Sequence, residues 1–163
     1  MDIENTVKEL GIKAKKAALE LGNTDIEKRN AGLENAKKMI LAAKKELISI
    51  NKEDLENALK TNLTSAMIDR ITLNDERIEG IALSLDEIIK LDNPIGKIIS
   101  EWKRPNGLIF QKITVPIGVI GIIYESRPNV TVDASAISIK SGNVVILRGG
   151  KDCFHTSLKL YQI

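Results

Sequence analysis

The sequence predicts an α/β chain in which helices come first, a β-hairpin follows, and the last third opens a parallel sheet. Three observations carry this. Apolar residues keep a helical phase from Val7 to Ile89, an Asn106-Gly107 pair separates two alternating segments, and two β-branched runs flank an apolar helical segment between Val115 and Gly150. Strand, helix, strand within roughly 30 residues is the βαβ unit of a parallel sheet.

Taken in order, Val7, Leu10, Ala14, Ala17 and Leu21 form the stripe of a first helix that Gly22 ends. Thr24-Asp25-Ile26-Glu27 is a capping-box pattern with Thr24 as the cap. One long helix follows, with Leu33, Ala36, Ile40, Ala43, Leu47 and Ile50 on one face. Its outer face carries Lys37, Lys38, Lys44, Lys45 and Glu46, and the interspersed acid favours a solvated face over an RNA- or membrane-binding one. Asn51 is expected to cap a further helix containing Leu55, Ala58 and Leu59. Thr64 starts a short helix through Ile71, and Asn74 opens the last of the series, with Ile78, Ile81, Leu85 and Ile88 or Ile89 in phase. Asp92-Asn93-Pro94-Ile95-Gly96 stops it, because proline lacks the N–H that would continue a helix.

From there the period changes. IISEWK and LIFQKITV alternate as two strands joined by Arg104-Pro105-Asn106-Gly107, and the lone Trp102 is assigned to packing. Val115, Ile117, Val119, Ile120, Ile122 and Ile123, broken by Gly118 and Gly121, predict a strand buried on both faces. A polar knot, Glu125-Ser126-Arg127-Pro128-Asn129, leads into the helix that ends at Ser141-Gly142, and Val144 to Leu147 lead into Arg148-Gly149-Gly150. The chain divides into a helical region (1–96), a hairpin (97–114) and the first part of an α/β domain (115–163).

Composition narrows the function classes. Twenty-four basic against 22 acidic side chains leave a net charge of +2, and aromatics are 3%, so neither a phosphate-backbone field nor a base-stacking platform is indicated. The uncharged stretch from Ile113 to Tyr124 is about half the ~20 residues of a membrane span. One cysteine, Cys153, forms no internal disulfide, and no apolar signal segment follows the start, which fits a reducing cytoplasm. One histidine and one cysteine make no structural zinc site, so no metal is expected. Cys153 has no second histidine to activate it and is read as structural.

The chemistry is expected at the carboxyl ends of the two parallel strands, where open α/β sheets bind ligands. Gly118-Val119-Ile120-Gly121 lacks the early G-x-G of a dinucleotide fingerprint, and Gly149-Gly150-Lys151-Asp152 is no Walker A loop. Asn129 can cap the following helix, whose free N–H groups favour an anion. The plainer alternative makes Asn129 only a cap and Arg127 only a surface ion pair. Arg148 emerges beside two glycines, which let backbone approach a ligand while the guanidinium offers a fork to phosphate. Spacing alone stops at a phosphate-bearing ligand such as a nucleotide.

The segment VPIGVIGIIYESRPNVTVDASAISIKSGNVVILRGG, with AMIDRITLNDERIEGIA, LDNPIGKI and PNGLIFQKITVPIG before it, resembles the γ-glutamyl phosphate reductase (glutamate-5-semialdehyde dehydrogenase) family of the aldehyde dehydrogenase superfamily. The resemblance implies a Rossmann-like, aldehyde dehydrogenase-like fold, here incomplete, and NADPH-dependent reduction of γ-glutamyl phosphate to glutamate-5-semialdehyde in proline biosynthesis. In that family a cysteine thiolate displaces phosphate and the thioester accepts a hydride. By resemblance Arg148, Gly149, Gly150 and Lys151 line the cofactor's adenosine side, Tyr124, Glu125 and Ser126 form the loop beneath it, Asn129 is the oxyanion donor, and Arg127 meets substrate phosphate or carboxylate. No residue matches the family's nucleophile, since Cys153 stands where relatives carry a small residue. The resemblance thus implies an N-terminal fragment, inactive alone, of a cytoplasmic homo-oligomer, with an unpaired apolar sheet edge that favours self-association. The competing expectations are a non-catalytic nucleotide-binding module and a helical interaction module.

Overall fold

The computed structural model describes residues 2–61 and 63–163. Its elements are α1 (Ile3–Gly22), α2 (Ile26–Ala42), α3 (Lys44–Lys60), α4 (Ser65–Ile71), α5 (Asp75–Lys90), β1 (Ile98–Lys103), β2 (Ile109–Ile113), β3 (Val119–Ile123), α6 (Pro128–Lys140), β4 (Val144–Arg148) and α7 (Phe154–Gln162), with one 3₁₀ turn at Lys151–Cys153. The expected order of helices, hairpin and βαβ unit is thus present.

Helix starts follow the side chains able to hold a free backbone N–H. Thr64 and Asn74 cap α4 and α5 by accepting from the N–H groups of Met67 and Arg77, as expected. Two other expected caps are corrected. Asp25, not Thr24, caps α2 by accepting from Lys28 N–H, while the Thr24 hydroxyl donates back to the Leu21 carbonyl. The long helix breaks at Ala43, and Asn51 lies inside α3, buried, rather than at a cap. Its amide donates to the Ile71 carbonyl (2.8 Å) and the Thr156 hydroxyl (3.2 Å) and accepts from Leu73 N–H (2.7 Å). Those partners are remote in sequence, and together they satisfy a polar group that burial would otherwise penalise.

Leu33, Ile40 and Leu47 carry the α2–α3 stripe into a core with Ile78, Ile81, Leu85 and Ile88 of α5, Val132 and Ala136 of α6, and Leu160 of α7. The basic face beside it is largely used within the molecule. Lys37 reaches Asp86 (2.7 Å), and Lys44 reaches both Asp75 and Glu79 (2.8 Å each), so α2 and α3 are laced to α5. The first-helix stripe is only partly covered: α1 packs on β3 and β4 and Ala14 is buried, but Val7 and Leu10 are exposed.

β1 and β2 pair antiparallel, with Trp102 opposite Phe110 and their rings stacked at 5.7 Å. Gly107 adopts φ +89° and donates to the Arg104 carbonyl (2.9 Å), closing the turn. The ribbon is exposed throughout.

β3 and β4 pair in parallel, Ile120 beside Val145. The expectation of a strand from Val115 buried on both faces is corrected. The strand starts at Val119, and Ile117 and Ile123 are 82% and 81% exposed. Among the described residues β3 has one strand neighbour, β4, and no second ladder covers its far edge.

Gly142 ends α6 in the left-handed region at φ +71°, where a Cβ would lie 2.6 Å from Ile95 Cδ1. Gly142→Ala is therefore expected to cost about 2 kcal/mol, from backbone strain plus overpacking, in urea unfolding followed by circular dichroism. Gly32→Ala, inside α2 with open space around it, is expected to stabilise by roughly 0.5–1 kcal/mol in the same measurement.

Candidate functional site

The carboxyl ends of β3 and β4 continue as two loops that pack on each other. Tyr124 N–H donates to the Arg148 carbonyl (3.1 Å), extending the parallel ladder by one bond. The Tyr124 hydroxyl shares a hydrogen bond with that of Thr131 on α6 (2.7 Å). A Cβ at Gly149 would lie 2.9 Å from Tyr124 Oη, and one at Gly150 would run into the Ser126 hydroxyl. The space beside these glycines is therefore filled by the neighbouring loop. Ser126 donates to Asp152 Oδ2 (2.8 Å) and accepts from Asp152 N–H (3.3 Å), so the sequence reading missed Asp152 as the second half of this clamp.

Arg148 and Lys151 project from this clamped pair of loops. Both are exposed, and neither forms an ion pair among the described residues. Two uncommitted cations beside a strand end suit an anionic, phosphate-bearing cofactor.

Asn129 is not the cap of α6. Arg127 takes the cap position in extended geometry with no side-chain cap bond, and Pro128 opens the helix. Proline's fixed φ suits the first helical position and pushes the residue before it out of helical geometry, which displaces Asn129 into the first turn. There its Nδ2 donates to Asp133 Oδ2 (3.1 Å), while Asp133 Oδ1 accepts from Ser84 Oγ of α5 (2.6 Å). Arg127 Nε lies 3.5 Å from Glu125 Oε2, and Arg70 Nη1 of α4 lies 3.2 Å from the same oxygen.

Between α4–α5 and the start of α6 lies a cleft of about 940 Å³, lined by Arg70, Arg77, Ser84, Arg127, Asn129 and Asp133 among others. The predicted residues thus fall into two groups. Tyr124, Ser126, Gly149 and Gly150 are brought together in the loop clamp beside Arg148 and Lys151, while Arg127 and Asn129 open into the cleft. Arg70, 57 positions before Arg127, escaped the sequence reading because only the packing of α4 brings it there.

Cys153 is fully buried, with Sγ 3.4 Å from Ser157 Oγ, and burial pushes its thiol above the usual range, against the Ser157 hydrogen bond. A buried, protonated thiol is a poor nucleophile. The adjoining start of α7 is held by Asp54 of α3, itself 3% exposed. Its carboxylate accepts from Thr156 N–H (2.8 Å) and hydroxyl (2.7 Å) and faces His155 Nδ1 (2.8 Å). No cluster of three metal-ligating side chains occurs among the described residues, and none of their helices is long and apolar enough to cross a membrane.

No protein-family model matches the chain. A curated gamma-glutamyl phosphate reductase of Brucella suis is 45% identical over 161 residues, 99% of this chain and 38% of that protein. The crystal structure of gamma-glutamyl phosphate reductase from Thermotoga maritima superposes with a TM-score of 0.92 at 35% identity, covering 94% of this chain and 37% of that one. The Saccharomyces cerevisiae enzyme of the same name gives 0.90 at 30% identity, covering 94% and 39%. A propionaldehyde dehydrogenase from Clostridium phytofermentans, at 14% identity and a TM-score of 0.55, covers 91% of this chain and 31% of its own, and shares the fold alone. The chain spans well under half the length of the curated relatives it matches. Over nearly its whole length, then, the chain is similar to part of the gamma-glutamyl phosphate reductases, and its fold is the corresponding portion of the α/β fold that aldehyde dehydrogenases also share.

Proposed function

We propose that the chain supplies the cofactor-facing loops and one wall of the substrate cleft of an NADPH-dependent reductase that converts γ-glutamyl phosphate to glutamate-5-semialdehyde and phosphate, in cytoplasmic proline biosynthesis. The observation that carries this is the pair of uncommitted cations, Arg148 and Lys151, at the end of β4 in a chain 45% identical to gamma-glutamyl phosphate reductase. When bound, the nicotinamide cofactor supplies a hydride. Arg148 and Lys151 hold its anionic adenosine side, and the Tyr124–Thr131 and Ser126–Asp152 bonds keep the two loops beneath it rigid. The backbones of Glu125, Gly149 and Gly150 complete that floor, while the Glu125 carboxylate turns to Arg70 and Arg127 on the cleft side.

On the cleft side, Asn129 is an amide donor for a developing oxyanion, held in place through Asp133 and Ser84, and Arg127 meets the substrate's anionic end. Cys153 has no part in the reaction, so the nucleophile comes from outside these residues. The regions 1–96, 97–114 and 115–163 then serve as a helical wall, an exposed ribbon suited to a homo-oligomer contact, and the cofactor platform.

Titration of NADPH, followed by its fluorescence, is expected to show saturable binding that Arg148→Ala weakens about tenfold, the loss of one charge-assisted contact. Absent binding, or binding indifferent to Arg148→Ala, would overturn the assignment.

A further inference from the structure

Three arginines line the cleft, and only two of them are free to receive a ligand. Arg77 is tied to Asp69 Oδ1 (2.7 Å) and the Thr72 carbonyl (2.9 Å), which close off its guanidinium. Arg70 and Arg127 converge from α4 and the start of α6 on a single carboxylate oxygen, Glu125 Oε2, and have no other ion-pair partner among the described residues. All three side chains are about half-exposed or more. An exposed pair of this kind contributes only ~0–1 kcal/mol, so separating it costs little. The acidic residues of the same cleft are mostly engaged: Asp133 accepts from Ser84 and Asn129, and Glu79 pairs with Lys44, while Glu76 lies without a partner among the described residues. No side chain caps α6, whose first turn opens beside Arg127.

We propose that Arg70 and Arg127 form a two-pronged phosphoryl site at the mouth of this cleft, and that Glu125 is its resident placeholder, displaced when the substrate's phosphoryl group arrives. The inference rests on the substrate-cleft reading above and adds to it Arg70 and the exchange at Glu125. A phosphoryl dianion offers three acceptor oxygens to two guanidinium forks and carries more charge than a single carboxylate, so it outcompetes Glu125 for both arginines. Before it arrives, Glu125 keeps the two like charges side by side and correctly aimed. No covalent step is involved.

Inorganic phosphate is the probe, titrated by calorimetry at low ionic strength. The unmodified chain is expected to bind it, and Arg70→Ala and Arg127→Ala are each expected to weaken binding about tenfold. Glu125→Gln removes the internal competitor and is expected to tighten binding about two- to fivefold. Arg148→Ala is expected to leave the Arg70- and Arg127-dependent component of the isotherm unchanged, which separates a substrate phosphoryl site from any phosphate held by Arg148 and Lys151. Far-UV circular dichroism verifies that each variant, all at exposed positions, keeps its helices. No phosphate binding, indifference to Arg70→Ala, weakening by Glu125→Gln, or loss of the Arg70-dependent component in Arg148→Ala would each overturn the site. A failed NADPH titration would sink the reductase reading and leave this isotherm standing, whereas a phosphate isotherm indifferent to Arg70 would sink the site and leave the NADPH result intact.

Discussion

Replacing Asp54 by alanine is expected to lower the unfolding free energy by about 3 kcal/mol, read from urea denaturation. The carboxylate sits in α3, yet it accepts from the first backbone N–H groups of α7, 102 positions away at Thr156, and from the hydroxyl of the same residue. Thr156 is fully buried, so truncating its partner strands two donors that water cannot reach. Each unsatisfied buried group costs about 1–3 kcal/mol, and the lost cap on α7 adds about 1 more, partly offset by relaxation. Asp54→Asn keeps the shape and one good acceptor and is expected to lose less than half as much. A loss below about 1 kcal/mol for the alanine variant would mean that α7 is held by its apolar contacts alone.

Leu47→Ala is expected to cost about 3 kcal/mol in the same assay, from lost apolar transfer plus the cavity left behind. Leu47 is 0% exposed and lies in the buried cluster that joins α3 to α5. Leu59, on the same helix but 63% exposed, provides the internal contrast: its alanine variant should stay within ~0.5 kcal/mol of the parent. Equal losses at the two positions would contradict the assignment of the core.

What was legible in the sequence is what short-range chemistry decides. Thr64 and Asn74 mark their helices because their hydroxyl and amide bond a backbone N–H three residues on. Asn106-Gly107 marks the hairpin, and the β-branched runs mark β3 and β4, because those preferences reside in adjacent residues. The failures share a cause. Asn51 is indistinguishable from a cap until Ile71, Leu73 and Thr156 are packed around it. Asn129 loses the cap to Arg127 because Pro128 fixes the first turn, a competition that a list of cap-forming residues does not weigh.

The candidate site divides the same way. Tyr124, Ser126, Arg148, Gly149 and Gly150 lie at strand ends, where the topology of a parallel sheet locates function before any coordinates are known. Arg70, Asp133 and Asp152 become visible only through contacts across 55, 49 and 26 positions, to Glu125, Ser84 and Ser126. The burial of β3 was overestimated for a related reason. An apolar run records what a strand can bury, whereas the number of its neighbours is set by pairing elsewhere.

Trp102, stacked on Phe110 in the exposed ribbon, is the only tryptophan in the chain. Its indole is 45% exposed and belongs to neither buried cluster, so its emission is a local reporter of the hairpin. Intrinsic fluorescence and helical ellipticity therefore watch different parts of this molecule. A ribbon that zips onto another protein surface would shift the emission maximum to the blue while the far-ultraviolet spectrum stayed still, giving an optical handle on assembly that needs no added label.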